Sequence, residues 1–399
     1  MGADLKTSDA QAARSLLSSA AVRERAHELL AAALAGDVPE WRVDLGKLDA
    51  AADLTAQVVR EAYPDLKVPF HARWRHFVVE GRDLWAERDK PSDPKDLGRA
   101  AFDLAITSVL LDAGAGPAWR YTDQTGAVLG RSEGLGIASL RMFESGAMSA
   151  DPTDPLRADG LRNITADLLA KAFQVTDANP LVGLEGRAAL LRRLGEAVGR
   201  PGALFDIMAR HATDGRLAAP VILQVLLDAL GPIWPGRLSL GGVPLGDCWP
   251  HPAIKRNDAT DGLMPIHKLS QWLSYSLIEP LEAAGIEVVD IDGLTGLAEY
   301  RNGGLFVDTG VLALKVPADA GRPHPVEGPL VVGWRGLTVA LLDRIAPMVR
   351  ERLGVTAEAF PRARVLEGGT WAAGRRIARR LRPADGGPPI AVISDGTVF

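Results

Sequence analysis

The chain has 399 residues, 47% hydrophobic and 24% charged, which suits an ordinary folded core in one large domain or two or three smaller units. A net charge of −5 argues against a general nucleic-acid binder, because neutralising phosphates takes a basic surface. A lone cysteine, Cys248, excludes an intrachain disulfide and a cysteine-cluster metal site and fits a reducing cytoplasm.

The first residues, Met-Gly-Ala-Asp-Leu-Lys, hold no apolar signal core, and Lys6 stands where a myristoylation signal wants Ser or Thr. No apolar run approaches the roughly 18 residues of a membrane span. Asp9 is expected to cap a helix running to about Leu34, with Gly36 as its stop. A second helix is expected from about Leu48 to Tyr63, ended by Pro64.

The segment Val68-Pro-Phe-His-Ala-Arg-Trp-Arg-His-Phe77 interleaves His71, Arg73, Arg75 and His76 with Phe70, Trp74 and Phe77. Arginine forks between aromatics suit a phosphate or a planar ligand. An amphipathic segment with snorkelling arginines has the same pattern. His71 and His76 are five apart, a poor match to the four-residue spacing of a helical zinc pair.

Asp93-Pro94 reads as an N-cap followed by proline at the first helical position, opening a helix through Leu97 to Leu111 whose second half is apolar on every side. Residues 119–129 predict a hairpin turning near Gln124–Gly126, and Ser132 predicts the hydroxyl cap of the next helix. From Asp159 to about Leu230 the pattern is helical, with breaks at Asn179-Pro180, at 199–202 and at 213–215. Residues 237–246 predict a hairpin around Gly241-Gly242 that delivers Asp247, Trp249 and His251 to a loop.

The helix expected over 267–278 sets Leu269, Leu273, Ser276, Leu277 and Leu281 on one face and Lys268, Gln271, Trp272, Tyr275 and Glu279 on another. The second face fits a pocket wall or a helix packed on both sides. Residues 285–290 predict a strand. Then comes 293–310, where Glu299, Tyr300, Arg301, Asn302 and Asp308 stand among small and apolar residues. That mixture fits a polar site inside a folded wall, or a buried ion pair that only positions a turn. Locally, Ala298–Arg301 is expected to end a short helix or turn, Gly303-Gly304 to reverse the chain, and 305–316 to form a strand pair turning near Thr309-Gly310. Residues 336–354 predict a helix bent at Pro347, 373–381 another, and 390–399 a terminal strand that folds back into the body.

No phosphate-loop lysine motif, no Gly-x-Gly-x-x-Gly after a strand and no His-Glu-x-x-His occurs. The remaining acids (Asp247, Glu299, Asp308 and Asp395), with Lys268, Arg301 and several aromatics, suit hydrolysis at a sugar carbon. They suit passive ligand binding equally.

Five motifs carry a resemblance: Pro69-Phe-His-Ala-Arg-Trp-Arg-His-Phe77, Arg131-Ser-Glu-Gly-Leu135, His267-Lys-Leu-Ser-Gln-Trp272, Gly296-Leu-Ala-Glu-Tyr-Arg-Asn-Gly-Gly-Leu305 and Ser394-Asp-Gly-Thr-Val-Phe399. Over nearly the whole chain they resemble a family of fungi and bacteria in the uracil-catabolism route that opens the ring of a uridine nucleotide. The resemblance implies one family unit over 1–399, with lobes at 1–150 (N-terminal, helical) and 151–399 (central helical plus C-terminal segment). Ala298-Glu-Tyr-Arg301, after a helix carrying Lys268, is also similar to the lysine helix and Asp-Tyr-Arg segment of queuosine-nucleotide N-glycosylases. Glu299 stands where those have Asp, and their Gly-x-Gly hairpin turn between two helices is not evident.

The fold expected is mainly α: a helical, DNA-glycosylase-like body with small β-hairpins bordering a pocket. The function implied is hydrolysis of the N-glycosidic bond of a ribosyl-urea 5′-phosphate-like intermediate, releasing urea, by a metal-independent hydrolase with no cofactor. Glu299 is assigned to the sugar cation or the attacking water, with Asp308 or Asp247 as second carboxylate. Lys268, Arg301, Arg73 and Arg75 are assigned to the phosphate or ribose hydroxyls, and Trp272, Tyr275 and Trp249 to an apolar wall. Tyr300, Gln271, His76 and Asn302 complete the substrate contacts. The partner expected is a small sugar phosphate or nucleotide-derived molecule, with no nucleic acid and no membrane. The alternatives are a non-catalytic sensor or scaffold binding a nucleotide of the same pathway, and a ureido amidohydrolase.

Overall fold

The computed structural model describes residues 2–112, 114–151, 153–234 and 236–393. They are mainly helical, with short two-stranded sheets. The chain divides into two compact units that alternate along the sequence: Met1–His71, Arg237–Gln271 and Asp290–Phe399 in the first, Ala72–Gly236 and Trp272–Val289 in the second.

The first unit is built on the helix Pro329–Leu353. Leu330, Val331, Trp334, Leu337, Leu341 and Ile345 are all buried, so apolar side chains face several neighbours at once. Against it lie the helices Ser19–Ala35, Leu48–Ala62 and Tyr300–Asp308. Pro347 lies inside it without ending it. The predicted 9–34 helix is instead two, Gly2–Ser15 and Ser19–Ala35. Ser18 breaks them: its extended backbone lets Oγ accept from Ala21 N, a capping bond worth about 1 kcal/mol. Gly36, at φ +91, supplies the predicted stop.

Short strands tie distant parts of this unit together. Trp41–Val43 pairs antiparallel with Leu312–Leu314, and Cys248–Pro250 with Leu263–Pro265. The expected hairpin holds, with Ser239–Leu240 against Val243–Pro244. Of the predicted terminal strand 390–399, Val392–Ile393 runs parallel to His324–Pro325, residues 390–391 are not strand, and residues 394–399 lie outside the described residues.

The second unit packs the helices Pro94–Leu110, Arg131–Glu144, Ala166–Ala172, Leu184–Val198, Ala203–His211 and Ala219–Leu230. Asp93 caps the first of these as predicted, accepting from Lys95 N and Asp96 N. The all-round apolar stretch of that helix is buried from Ala100 to Leu110, with Phe102 edge-on to Phe205 at 5.5 Å. The hairpin Tyr121–Thr122 with Val128–Leu129 is where expected. The next helix starts at Arg131 after Gly130, so Ser132 is inside it and does not cap it. Arg216–Ala218 pairs parallel with Glu287–Val289, the predicted strand.

The stretch 293–310 departs most from expectation. Gly303 and Gly304 do not reverse the chain; they lie within the helix Tyr300–Asp308, and a single strand, Leu312–Leu314, follows. The reason is packing. A Cβ on Gly303 would sit 2.8 Å from Trp334 Nε1 and 2.9 Å from Thr338 Oγ1, so glycine lets this helix lie close on 329–353. On its other flank, a Cβ on Gly374 would lie 2.1 Å from Arg301 O, and glycine there admits the helix Ala372–Leu381 to equally close contact.

Candidate functional site

Glu299 is the N-cap of the 300–308 helix. Its extended backbone (φ −110, ψ 162) turns the side chain back over the first turn, where Oε2 accepts from Arg301 N at 2.7 Å and Oε1 from Asn302 N at 2.5 Å. The carboxylate thus meets two amides that have no intrahelical partner, at the positive end of the helix dipole. It is 7% exposed, and that burial raises its pKa. The two amides oppose the rise, as do electrostatic contributions from Lys268 and His71.

Three devices fix this corner of the first unit. Lys268 opens the helix Lys268–Ala283, whose residues through Gln271 belong to this unit. Its backbone N donates to Asp247 Oδ2 at 2.9 Å. Gln271 is fully buried and grips Thr295 twice, its Nε2 donating to Oγ1 and its Oε1 accepting from the backbone N at 3.0 Å. That clamp sets the strand of chain leading to Glu299. Asn302 Nδ2 donates to Leu297 O at 3.1 Å and closes the same turn.

His71 and Glu367 form a second polar pair in this unit; the sequence places His71 in the basic, aromatic-interleaved segment but gives no sign of Glu367. His71 Nδ1 lies 2.6 Å from Glu367 Oε2, and both side chains are largely buried. The imidazole also tilts against Trp371, ring centres 6.0 Å apart. Glu367 and Trp371 lie on a π-helical stretch, Val365–Trp371, the widened turn that recurs at functional positions.

The other predicted carboxylates are already engaged. Asp247 takes both forks of Arg335, at 2.9 and 2.7 Å, along with Trp249 Nε1 at 2.6 Å and the Lys268 amide. Despite burial, those donors hold it at about 2. Asp308 ends the 300–308 helix, and Arg382 binds both its oxygens at 2.9 and 2.5 Å. Glu299 and Asp308 therefore sit at opposite ends of one helix, on the order of 13 Å apart along its axis. Arg301 donates to Gly386 O and lies 4.7 Å over the Tyr300 ring, and Trp249 packs under Arg237 at 4.7 Å.

The remaining predicted residues lie in the second unit. Arg73 does not snorkel: its side chain is fully buried, with Nε on Ser108 Oγ at 2.7 Å and Nη1 on Asp112 at 2.8 Å. Arg75 meets both oxygens of Glu279, at 2.9 and 2.6 Å. Trp272 packs between Arg73, 5.7 Å from the ring, and the edge of His76, ring centres 5.7 Å apart. Tyr275 is fully buried. These side chains form a dense polar core within their unit.

Among the described residues, no three His, Cys, Asp or Glu side chains are arranged to hold a metal ion, and no helix is long and apolar enough to cross a membrane. Burial pushes the Cys248 thiol far up, which leaves it a poor nucleophile.

Protein urg3 of Schizosaccharomyces pombe is 40% identical over 399 residues, covering 96% of this chain and 98% of that protein. Uracil catabolism protein 4 of Lachancea kluyveri is 38% identical over 411 residues, covering 91% and 93%. The family model described as "Protein of unknown function (DUF1688)" matches residues 15–399. The chain therefore belongs to the DUF1688 family.

Proposed function

We propose that this protein acts in uracil catabolism, hydrolysing the N-glycosidic bond of a ribosyl-urea 5′-phosphate-like intermediate to urea and a ribose phosphate. The pathway follows the name of the Lachancea kluyveri relative. The reaction follows the likeness of Ala298–Arg301 and the Lys268 helix to N-glycosylases of a helical, DNA-glycosylase-like fold. One observation carries the chemistry: a buried carboxylate, Glu299, held by two backbone amides at the start of its helix.

Cleavage at an anomeric carbon passes through an oxocarbenium-like state. A carboxylate fixed before the reaction stabilises that cation or takes a proton from the attacking water, without the reorganisation that water would require. The two amides use one acceptor direction on each oxygen, and the outer lone pairs remain for a sugar or a water. Burial raises the carboxylate's pKa, and the charge of Lys268 opposes that rise. Asp247 and Asp308, each closed off by an arginine, take structural roles in this scheme.

Incubation of the purified protein with synthetic ribosylurea 5′-phosphate tests the proposal, by scoring urea, ammonia and reducing sugar together. Equal amounts of urea and ribose phosphate are expected. Ammonia without urea points to a ureido amidohydrolase instead, and saturable binding with no product points to a sensor; either result overturns the glycosidic reading.

A further inference from the structure

We infer that Arg23 and Arg362 are positioning residues for Glu299: joined at Asp343, they hold the stretch of backbone that delivers its carboxylate. The inference rests on the hydrolytic reading above and names what keeps the central group of that reading in place.

Residues 295–298, which lead to Glu299, are buried and lie in neither helix nor strand. Buried backbone without a ladder takes its hydrogen-bond partners from side chains. Just upstream, guanidinium groups supply them. Arg23, on the helix Ser19–Ala35, spreads its fork over three consecutive carbonyls: Nη2 donates to Asp292 O at 2.8 Å and Leu294 O at 2.7 Å, and Nη1 to Gly293 O at 3.3 Å. Its Nε donates to Asp343 Oδ2 at 3.0 Å. Arg362 donates from Nη1 to the same Leu294 O at 3.0 Å and from its backbone N to Asp292 Oδ1 at 2.6 Å. Its guanidinium pairs with the other oxygen of Asp343 at 2.6 Å. Asp343 belongs to the helix Pro329–Leu353, so separate helices converge on one turn of chain.

The hold passes forward to Glu299 link by link. Thr295, the residue after Leu294, is clamped by Gln271. A Cβ on Gly296 would lie 2.6 Å from Leu342 Cβ, so the chain there runs close on the helix that carries Asp343. Leu297 O accepts from Asn302 Nδ2. A shift of the 292–294 carbonyls therefore moves the capping carboxylate instead of being absorbed by a loop. The chemistry of the clamp fits this task. Arg362 and Asp343, with side chains 8% and 9% exposed, are a buried charged pair, which adds little stability over apolar packing but fixes one geometry. A reacting carboxylate needs that geometry, because a displacement of about 1 Å costs on the order of 10²-fold in rate.

The test is a double-mutant cycle between Arg23→Lys and Glu299→Gln, read by kcat and KM for urea release from ribosylurea 5′-phosphate, thermal melting, and hydrogen exchange of the peptide 299–305. Lysine keeps a charge for Asp343, but one ammonium cannot span the carbonyls that the fork covers. Beside the wild type, Arg23→Lys is expected to lower kcat about 10–10²-fold with KM within about 2-fold. It is also expected to speed exchange of the Arg301 and Asn302 amides, which Glu299 caps. On the Glu299→Gln background the same substitution is expected to cost less than about 2-fold more, because its target is gone. Equal losses on both backgrounds, or exchange at 301 and 302 unchanged from the wild type, overturns the positioning role while the hydrolytic reading stands. Arg362→Lys repeats the cycle if Arg23→Lys does not fold. Absence of urea release from the wild type overturns the hydrolytic reading, and exchange at 301 and 302 then decides the clamp by itself: faster in Arg23→Lys supports it, unchanged overturns it.

Discussion

Replacing Asp247 by Asn separates a structural carboxylate from a catalytic one. Asp247 sits at about 2 where an ordinary aspartate has 3.8. A carboxylate lowered by folding stabilises the protein above its unfolded pKa and loses that contribution as pH falls through the folded one. At about 1.4 kcal/mol per pKa unit, the linkage is worth roughly 2 kcal/mol above pH 4, and it disappears between pH 4 and pH 2. The amide loses that contribution and also breaks the charged fork to Arg335, whose side chain has no solvent exposure. Breaking one side of a buried pair costs about 3–5 kcal/mol, which at about 2–4 °C per kcal/mol lowers the melting midpoint on the order of 10 °C. Thermal melting at neutral pH measures this directly, and urea release is assayed well below the variant's midpoint. The variant is expected to melt early yet still turn over substrate. Wild-type melting with turnover abolished would refute the structural assignment and restore Asp247 as a carboxylate of the reaction.

Acid should weaken the fold well before Asp247 titrates. Burial holds His251 at about 4 against an ordinary 6.5, so the unfolded chain binds the proton first; stability is complete above pH 6.5 and falls by about 3 kcal/mol toward pH 4. Denaturant midpoints from pH 7.5 to 4 check this, and a flat profile contradicts it. Gly374→Ala forces a methyl onto Arg301 O and should cost at least about 1–3 kcal/mol, whereas Gly186→Ala, in a helix with open space at that position, should gain about 0.5–1 kcal/mol. Equal denaturant midpoints for the two variants would remove the close-packing explanation for Gly374.

Local signals were legible where one segment decides its own structure. Asp93 before Pro94, Gly36 at a left-handed stop and Gly241-Gly242 in a two-residue turn each needed only neighbouring atoms. The failures are non-local. Gly303-Gly304 looked like a reversal because the sequence does not reveal Trp334 and Thr338 pressed against that helix. Asp247 and Asp308 looked available because Arg335 and Arg382, which close them, lie 88 and 74 residues away. Glu299 stood out as a polar residue in an apolar frame, but its role as a helix cap did not, since glutamate is not among the usual capping residues. His71 and Glu367 are 296 residues apart, and nothing at either position announces the pair. The Gly368-Gly369 step beside Glu367, within a π-helical turn, is the sequence feature that came nearest to marking it.

Whether Glu299 faces the sugar carbon is read from kcat/KM for urea release from ribosylurea 5′-phosphate by Glu299→Gln beside the wild type. Glutamine keeps an oxygen for one of the two amides and removes the charge, so the helix cap is largely preserved. A catalytic carboxylate there means a loss of about 10²–10⁴-fold with a melting midpoint near that of the wild type. Full activity in the variant would contradict it and leave Glu299 as a helix cap alone.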